Sequence, residues 1–495
     1  MGDDSVGVPG LLRRGGLSFL GGVLAGVLGL VLTIIVSRGF GPEGSGVFFS
    51  VVAVTMVLSN TMELGADTAF VWMLPRLRAT GRADQQRHAL RLGFAPVLTA
   101  SALTAAVLWL ASDWLAGVLG GGSATAEGLR WAALAVLLGT LATVAVSATR
   151  GFGMLWPFLL LQNVLLPVLR VCAVGLAVVL GGTVVTALAG WSLAWAVVGV
   201  VAVVAALLLA RRTPHAVRAD AELSREFWGF AVPRGLAAVV EIALVWVDVL
   251  MVTIIRGPAE AGIYAVVSRF VTTGALGENA LRIALAPRFS ALFAAGNRAG
   301  AQRLLRAGTP LMIALTWPIF IVAAAEAEDL LAIFGPGFES GAVALRILCL
   351  AMIVVALLGP VQSVLLMSGN TRLQLANKVA ALGAQVGLNL ILIPRWGIQG
   401  AAVAWAASVL IDNGLAALQL HRLEGVTPGG IRVLWSALLV GGGCVIAIFV
   451  VSLLGIAGIT ALIAAAALAG LWVAALFLVP RSPLNLVRMR EDEVL

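Results

Sequence analysis

Charge is what this chain has least of. Asp, Glu, Lys and Arg make up 11% of its 495 residues, while 61% are hydrophobic and the mean hydropathy is +1.05. A soluble protein carries about 25% charged residues. So much apolar surface cannot be hidden in soluble domains of roughly 100–200 residues, which excludes a water-soluble enzyme. Polar–apolar alternation is also missing. Only helices and closed barrels satisfy their backbone groups in lipid, and barrel strands alternate over roughly 10 residues. The apolar runs here are unbroken and long enough for helices, each crossing taking about 20 residues. The chain therefore reads as an all-α polytopic membrane protein with room for roughly 12–15 crossings.

Other scarcities narrow the chemistry. Lys378 is the single lysine among 32 basic residues, an arginine skew expected of a GC-rich genome rather than of nucleic-acid binding. Cys172, Cys349 and Cys444 all lie in apolar runs, and an odd number gives no disulfide framework. His88, His215 and His421 sit in separate polar loops without metal-ligand spacing. There is no Gly-Lys-Ser phosphate loop and no Gly-x-Ser-x-Gly elbow. No metal, cofactor or catalytic residue is expected, and no nucleic-acid partner.

What is present is a series of apolar spans: about 16–37, 46–74, 89–111, 129–149, 155–180, 185–210, 228–254, 262–286, 308–330, 342–367, 373–393, 399–420, 432–454 and 459–479. That makes fourteen, with turn-rich breaks between them. Arg13 and Arg14 precede an apolar run too long for a signal-peptide core, with no A-x-A cleavage site, and read as a cytoplasmic anchor. If the N-terminus is cytoplasmic, inner connections and termini with the span ends that adjoin them hold 23 of the 32 Lys and Arg, outer connections with their adjoining span ends 5 and the span interiors 4. Positive charge collects inside, so both termini are expected in the cytoplasm of a cell-membrane protein.

The chain also repeats. Gly41-Pro42-Glu43-Gly44-Ser45-Gly46-Val47-Phe48 follows the first span and Gly257-Pro258-Ala259-Glu260-Ala261-Gly262-Ile263-Tyr264 the seventh, 216 residues later. A fainter echo pairs Thr149-Arg150 with Thr371-Arg372. Six spans separate the copies, an even number, so both enter the membrane in the same direction. This predicts two six-helix lobes, 1–212 and 213–424, related by an axis along the membrane normal, followed by two extra helices and a tail, 425–495. Two unrelated Gly-Pro turns are the alternative, since turns require those residues.

The stretch SRGFGPEGSGVFFSVVAV (37–54) resembles the R-x-L-G-P-x-x-x-G-x-Y motif of bacterial polysaccharide flippases, with Phe40 for Leu and Phe48 for Tyr. These are the O-antigen-type lipid-linked oligosaccharide translocases of the multidrug/oligosaccharidyl-lipid/polysaccharide (MOP) superfamily. GPAEAGIYAVVSRF with ALAPRFSAL, then IFGPGFESGAVALRIL, LLMSGNTRLQLANKV and NLILIPRWGIQGAAVAWA, are similar to its later helices in the same order. The resemblance implies a MATE-like fold opening alternately to each side. It implies no ATP use, a polyprenyl-linked sugar substrate, lipid contacts, and polymerase and glycosyltransferase partners. A multidrug exporter of the same superfamily, driven by H⁺ or Na⁺, is the alternative. A membrane-embedded glycosyltransferase would need a long outer loop or a soluble domain, and none is visible.

Ionisable residues inside spans are costly and face a cavity or a partner. Arg234, Glu241 and Asp248 are spaced by seven, close to two helical turns, and so form one stripe. The stripe reads as a cavity wall or as an ion-pair ladder. Arg269 stands in an apolar turn, its guanidinium suited to phosphate oxygens, or else pairs with Glu241 or Asp248. A cavity Arg stands in a similar place in the lipid II flippase, and this resemblance adds to the anion reading. Arg170 and Arg38 are further anion candidates, although a cation at the end of a span also offsets the helix dipole. Glu278 and Arg282 have the favoured i,i+4 order of a structural pair. Glu63 and Asp67, like charges four apart, need a cation, an Arg or a shared proton; Asp412 lies mid-span. Each of these three acids is a candidate for ion coupling, or serves as a cap or interhelical bond.

Overall fold

The computed structural model describes residues 8–211 and 221–479, all helix, turn or coil with no strand among them. The expected lobe boundary at 212/213 and the arginines of the C-terminal tail lie outside the described residues.

Helix α1 (Val8–Met62) carries the first two spans, parted at Gly41, where φ is 65° and ψ −172°. Only glycine takes that turn without strain, and Pro42 then starts the second span where its missing N–H costs nothing. The second span breaks again at Leu64 (φ 51°) and Gly65 (φ 75°) and resumes as α2 (Ala66–Ala79). Then come α3 (Gln86–Leu110), the short α4 (Ser112–Val118) and α5 (Gly122–Gly151). A π-helix over Phe158–Leu165 runs into α6 (Leu166–Val179), followed by α7 (Val184–Arg211) and α8 (Ala221–Arg256).

The eighth span divides into α9 (Pro258–Gly274) and α10 (Leu276–Ala294). Next are α11 (Arg298–Ala325), the short α12 (Ala327–Ala332) and α13 (Ala342–Leu358). The tenth span, expected to be continuous over 342–367, stops at Gly359 (φ 69°) and Pro360 and ends as α14 (Val361–Met367). The chain closes with α15 (Thr371–Trp396), α16 (Ile398–Glu424), α17 (Ile431–Leu453) and α18 (Ile459–Leu478).

Among the described residues, twelve helices are long and apolar enough to cross a membrane. One of them, Leu20–Ala79, holds two spans, and the broken α9–α10 is not among the twelve. Those two adjustments recover the fourteen expected from hydropathy.

The chain forms two compact units, Met1–Gly262 and Ile263–Leu495. In the first, α5 packs against α1, α3 and α7. Its buried face is largely Ala, Gly, Ser and Thr, small residues that let helix backbones approach in lipid. A core of Phe70, Met73, Leu74, Phe227 and Val144 closes one end. The seventh span belongs to this unit for visible reasons. Ser50 and Thr253 hydroxyls meet at 2.7 Å, Trp72 stacks on Phe230 at 4.5 Å, and Glu226 takes Arg76 at 3.5 Å and Arg82 at 3.4 Å.

The two copies of the Gly-Pro motif pack on each other within this unit. A Cβ on Gly46 would overlap the main-chain carbonyl of Pro258, and a Cβ on Gly262 would overlap that of Pro42. Each contact becomes the other under the 216-residue shift. In the second unit α11, α13 and α16 form the centre, and α17 and α18 join through Ala437, Cys444, Ala461, Ala465 and Ala469.

Candidate functional site

Within the first unit the stripe on α8 resolves into two parts. Arg234 reaches along its own helix to Glu241, Nη2 to Oε2 at 3.4 Å, and both side chains stay about 40% exposed. Asp248 is buried and engaged. Arg234 and Glu241 therefore compensate each other on one helix, a third arrangement beside the cavity wall and the ladder to a neighbour.

Arg170 on α6 lies between two indoles of α7, with its guanidinium carbon 4.5 Å from the Trp191 ring and 4.6 Å from the Trp195 ring. Ring quadrupoles attract a desolvated cation by about 2 kcal/mol or more, which offsets part of the cost of holding a charge in lipid. Trp191 and Trp195 are one turn apart, so one helix face supplies both walls. Arg38 is exposed near the end of the first span, three residues before the Gly41 break, where the helix dipole favours a cation.

Glu63 is buried, 8% exposed, at the break between α1 and α2. Its carboxyl meets the Thr143 side chain of α5, and Asp67 acts on it electrostatically from the first turn of α2. Asp67 also accepts from Thr68 Oγ1 at 3.0 Å.

In the second unit, Arg269 is half-buried on α9 and is engaged in an interaction, so it is not the solitary cation its apolar neighbours suggest. The helix breaks at Ala275, between Arg269 and Glu278 and next to Gly274, where α9 ends. Glu278 and Arg282 do pair, at 3.9 Å, and Arg282 Nε also donates to Ser363 Oγ of α14 at 3.3 Å. Asp412 on α16 meets Lys378 Nζ of α15 at 3.9 Å. The α15–α16 seam continues with a reciprocal amide pair, Asn377 and Gln419, at 2.8 and 2.7 Å, and with Ser408 Oγ donating to Gln385 at 3.3 Å.

Sequence reading missed Lys378, Thr143, Trp191 and Trp195 as partners. The signal for Lys378 was its being the only lysine, placed inside an otherwise uncharged span. Among the described residues no group of three or more His, Cys, Asp or Glu could hold a metal ion.

Residues 11–293 match the sequence family described as "Polysaccharide biosynthesis protein". The chain belongs to this family. Residues 233–391 of this polysaccharide biosynthesis protein also match the MatE family. A curated relative, "Probable flippase AglR" of Haloferax volcanii, is 26% identical over 188 residues, 37% of this chain. The match spans only 39% of that relative's length.

Among solved structures, the fold is similar to "Lipid II flippase MurJ, inward closed conformation". The TM-score is 0.73 at 14% identity, covering 94% of this chain and 98% of that one. It is also similar to an inward-facing MATE multidrug resistance transporter of the MOP superfamily, with TM-score 0.68 at 16% identity, covering 81% and 94%. At 14–16% identity these likenesses are of fold.

Proposed function

We propose that this polysaccharide biosynthesis protein moves a polyprenyl-pyrophosphate-linked oligosaccharide repeat unit across the cytoplasmic membrane, supplying envelope polysaccharide. The family match over residues 11–293 carries the reading. The lipid II flippase fold and the flippase named among the relatives support it. Transport proceeds by alternating access of two six-helix lobes, 1–212 and 213–424, with both termini cytoplasmic, driven by an ion or by the membrane potential. Polymerase and glycosyltransferases act on either side of it. A multidrug exporter is the second reading, favoured by the MatE match over 233–391.

A pyrophosphate must cross about 30 Å of hydrocarbon, and an isolated anion there costs far too much without compensating positive charge. Arg269 is the first candidate to supply it, on position and on the match of its fork to phosphate oxygens. Arg234, Arg170 and Arg38 come next. Arg234 carries its own counter-ion, and Arg170 has two indoles around it. The test is delivery of labelled lipid-linked oligosaccharide in proteoliposomes. Arg269→Ala abolishes delivery at normal protein level, and Arg269→Lys restores part of it, because a point charge replaces a bidentate fork. Full activity of folded Arg269→Ala removes this residue from the mechanism, and drug efflux without oligosaccharide delivery favours the second reading.

A further inference from the structure

In the second unit, two arginines from neighbouring helices come to one level with no acid between them. Arg306 of α11 and Arg432 of α17 are both exposed, and neither side chain has a hydrogen-bond or ion-pair partner among the described residues. The helices that carry them run side by side. A Cβ on Gly430, which precedes α17, would stand 4.0 Å from Arg306 Nε, and one on Gly441 would meet the Trp317 ring of α11. The same number of residues separates the two contacts along each helix, so α11 and α17 are parallel and in register. Arg432 lies two residues past Gly430, hence about 3 Å of helix rise from the level of Arg306.

The frame around this pair is fixed, and it removes the local counter-ion. Gln302 clasps Thr427 through both ends of its amide: Nε2 donates to the Thr427 carbonyl and Oε1 accepts from the Thr427 N–H, each at 2.7 Å. Glu424 is the only acid between residues 298 and 306 or between 421 and 432. It takes Arg298 Nε at 2.9 Å, and its side chain is largely covered. Arg303, on the turn before Arg306, is itself engaged. Arg306 and Arg432 are left as two cations held at one level by a rigid seam.

Their depth says which anion they meet. Each stands where an apolar span begins, about 308 and 432 in the sequence. Trp435, one turn past Arg432, is exposed, and indoles settle at the headgroup level of a bilayer. Leu438, Val445 and Phe449 continue an exposed apolar face along α17. A small soluble anion makes no use of such a wall. A phospholipid does, with its phosphate at the guanidiniums and its acyl chains on the helix. Arginine forks match phosphate oxygens, and basic pockets between helices take acidic headgroups. A zwitterionic lipid brings a cation of its own to the pair, which disfavours it. We propose that Arg306 and Arg432 form a binding site for an anionic phospholipid headgroup, with Trp435 at the interface and the exposed face of α17 along the acyl chains. Its placement in the inner leaflet rests on the orientation proposed above; the binding does not, nor does it depend on the transported substrate.

The test uses purified full-length protein in nanodiscs of phosphatidylcholine with an increasing share of phosphatidylglycerol. Lipid retained after transfer to detergent is read by native mass spectrometry, and the thermal midpoint is followed in parallel. The wild type is expected to keep phosphatidylglycerol in preference to phosphatidylcholine, with a midpoint that rises to saturation. Arg306→Gln/Arg432→Gln should lower that retention about tenfold or more. Arg78→Gln/Arg372→Gln removes the same charge from two other exposed arginines without partners among the described residues, and should leave retention unchanged. Each variant is first shown to elute as a single folded species from phosphatidylcholine alone. Equal retention of the two lipids by the wild type overturns the site. So does an unchanged preference in folded Arg306→Gln/Arg432→Gln, or an equal loss in the control pair, which would make the attraction a property of the whole basic face. Displacement of phosphatidylglycerol by an equimolar polyprenyl pyrophosphate would give the two arginines to that lipid and overturn the phospholipid assignment.

Discussion

Replacing Gly46 by Ala sets two known quantities against each other. In a helix interior Ala is favoured over Gly by about 1 kcal/mol. Against that, the new methyl would overlap the Pro258 carbonyl, which is main chain and cannot rotate away. The turn at Gly257 and the reciprocal seat of Gly262 on the Pro42 carbonyl hold the two segments together, so relief requires parting both contacts at once. Overpacking of this kind costs about 1–3 kcal/mol, and the rigidity of the partner puts Gly46 at the upper end. The net loss is then about 2 kcal/mol, the scale at which a folded population shifts by a factor of about 30.

Gly22 and Gly29 are the controls: both lie on the first half of α1, and a methyl added at either would meet nothing within 4 Å. Ala at either should be neutral or stabilising. The double variant Gly46→Ala/Gly262→Ala should lose less than the sum of the singles, because the first substitution has already separated the segments. The assay is the temperature at which half of a fluorescently tagged, detergent-extracted protein ceases to elute as a single species. A Gly46→Ala protein as stable as Gly22→Ala would refute the reasoning.

Three further outcomes follow from the same geometry. Reporter fusions at Gly122, Gly182, Ala259 and Gly458 should report the outside and those at Ala83 and Asn297 the inside; two adjacent reversals would break the fourteen-span map. Glu278→Gln and Arg282→Gln should each destabilise by about 1–2 kcal/mol, below the roughly 3–5 of a fully buried pair because Arg282 is partly exposed. The double variant should fall below either single in cost; additive losses would contradict a pair. Lys378, 20% exposed against Asp412, should react slowly with an amine-directed ester in the folded protein and faster in Asp412→Asn, read by peptide mass. Equal rates would exclude the ion pair from shielding it.

The spans were legible because an apolar run of about 20 residues has few other solutions in water or lipid. The stop at Gly41 was legible too, since Gly followed by Pro marks a turn. The break at Leu64–Gly65 was not: no proline marks it, and a leucine at positive φ is held there by packing that sequence does not display. Pairings at i,i+4, such as Glu278 with Arg282, follow from helix geometry alone. Pairings between helices do not. Lys378 with Asp412, Thr143 with Glu63 and Arg170 with Trp191 depend on how each helix is rotated about its axis, which hydropathy leaves open.

The reciprocal seating of Gly46 on Pro258 and of Gly262 on Pro42 also bears on ancestry. A contact in which the same patch meets itself is what a two-fold homodimer makes. If the repeat read in the sequence is a duplication, a single six-helix chain pairing with a second copy would have met itself through this turn, and one substitution in that gene would have altered both sides of the contact together, whereas a fused chain leaves the two sides to drift separately. Glu43, Gly44 and Ser45 in one turn correspond to Ala259, Glu260 and Ala261 in the other, while the proline and glycine at the touching positions are the same in both.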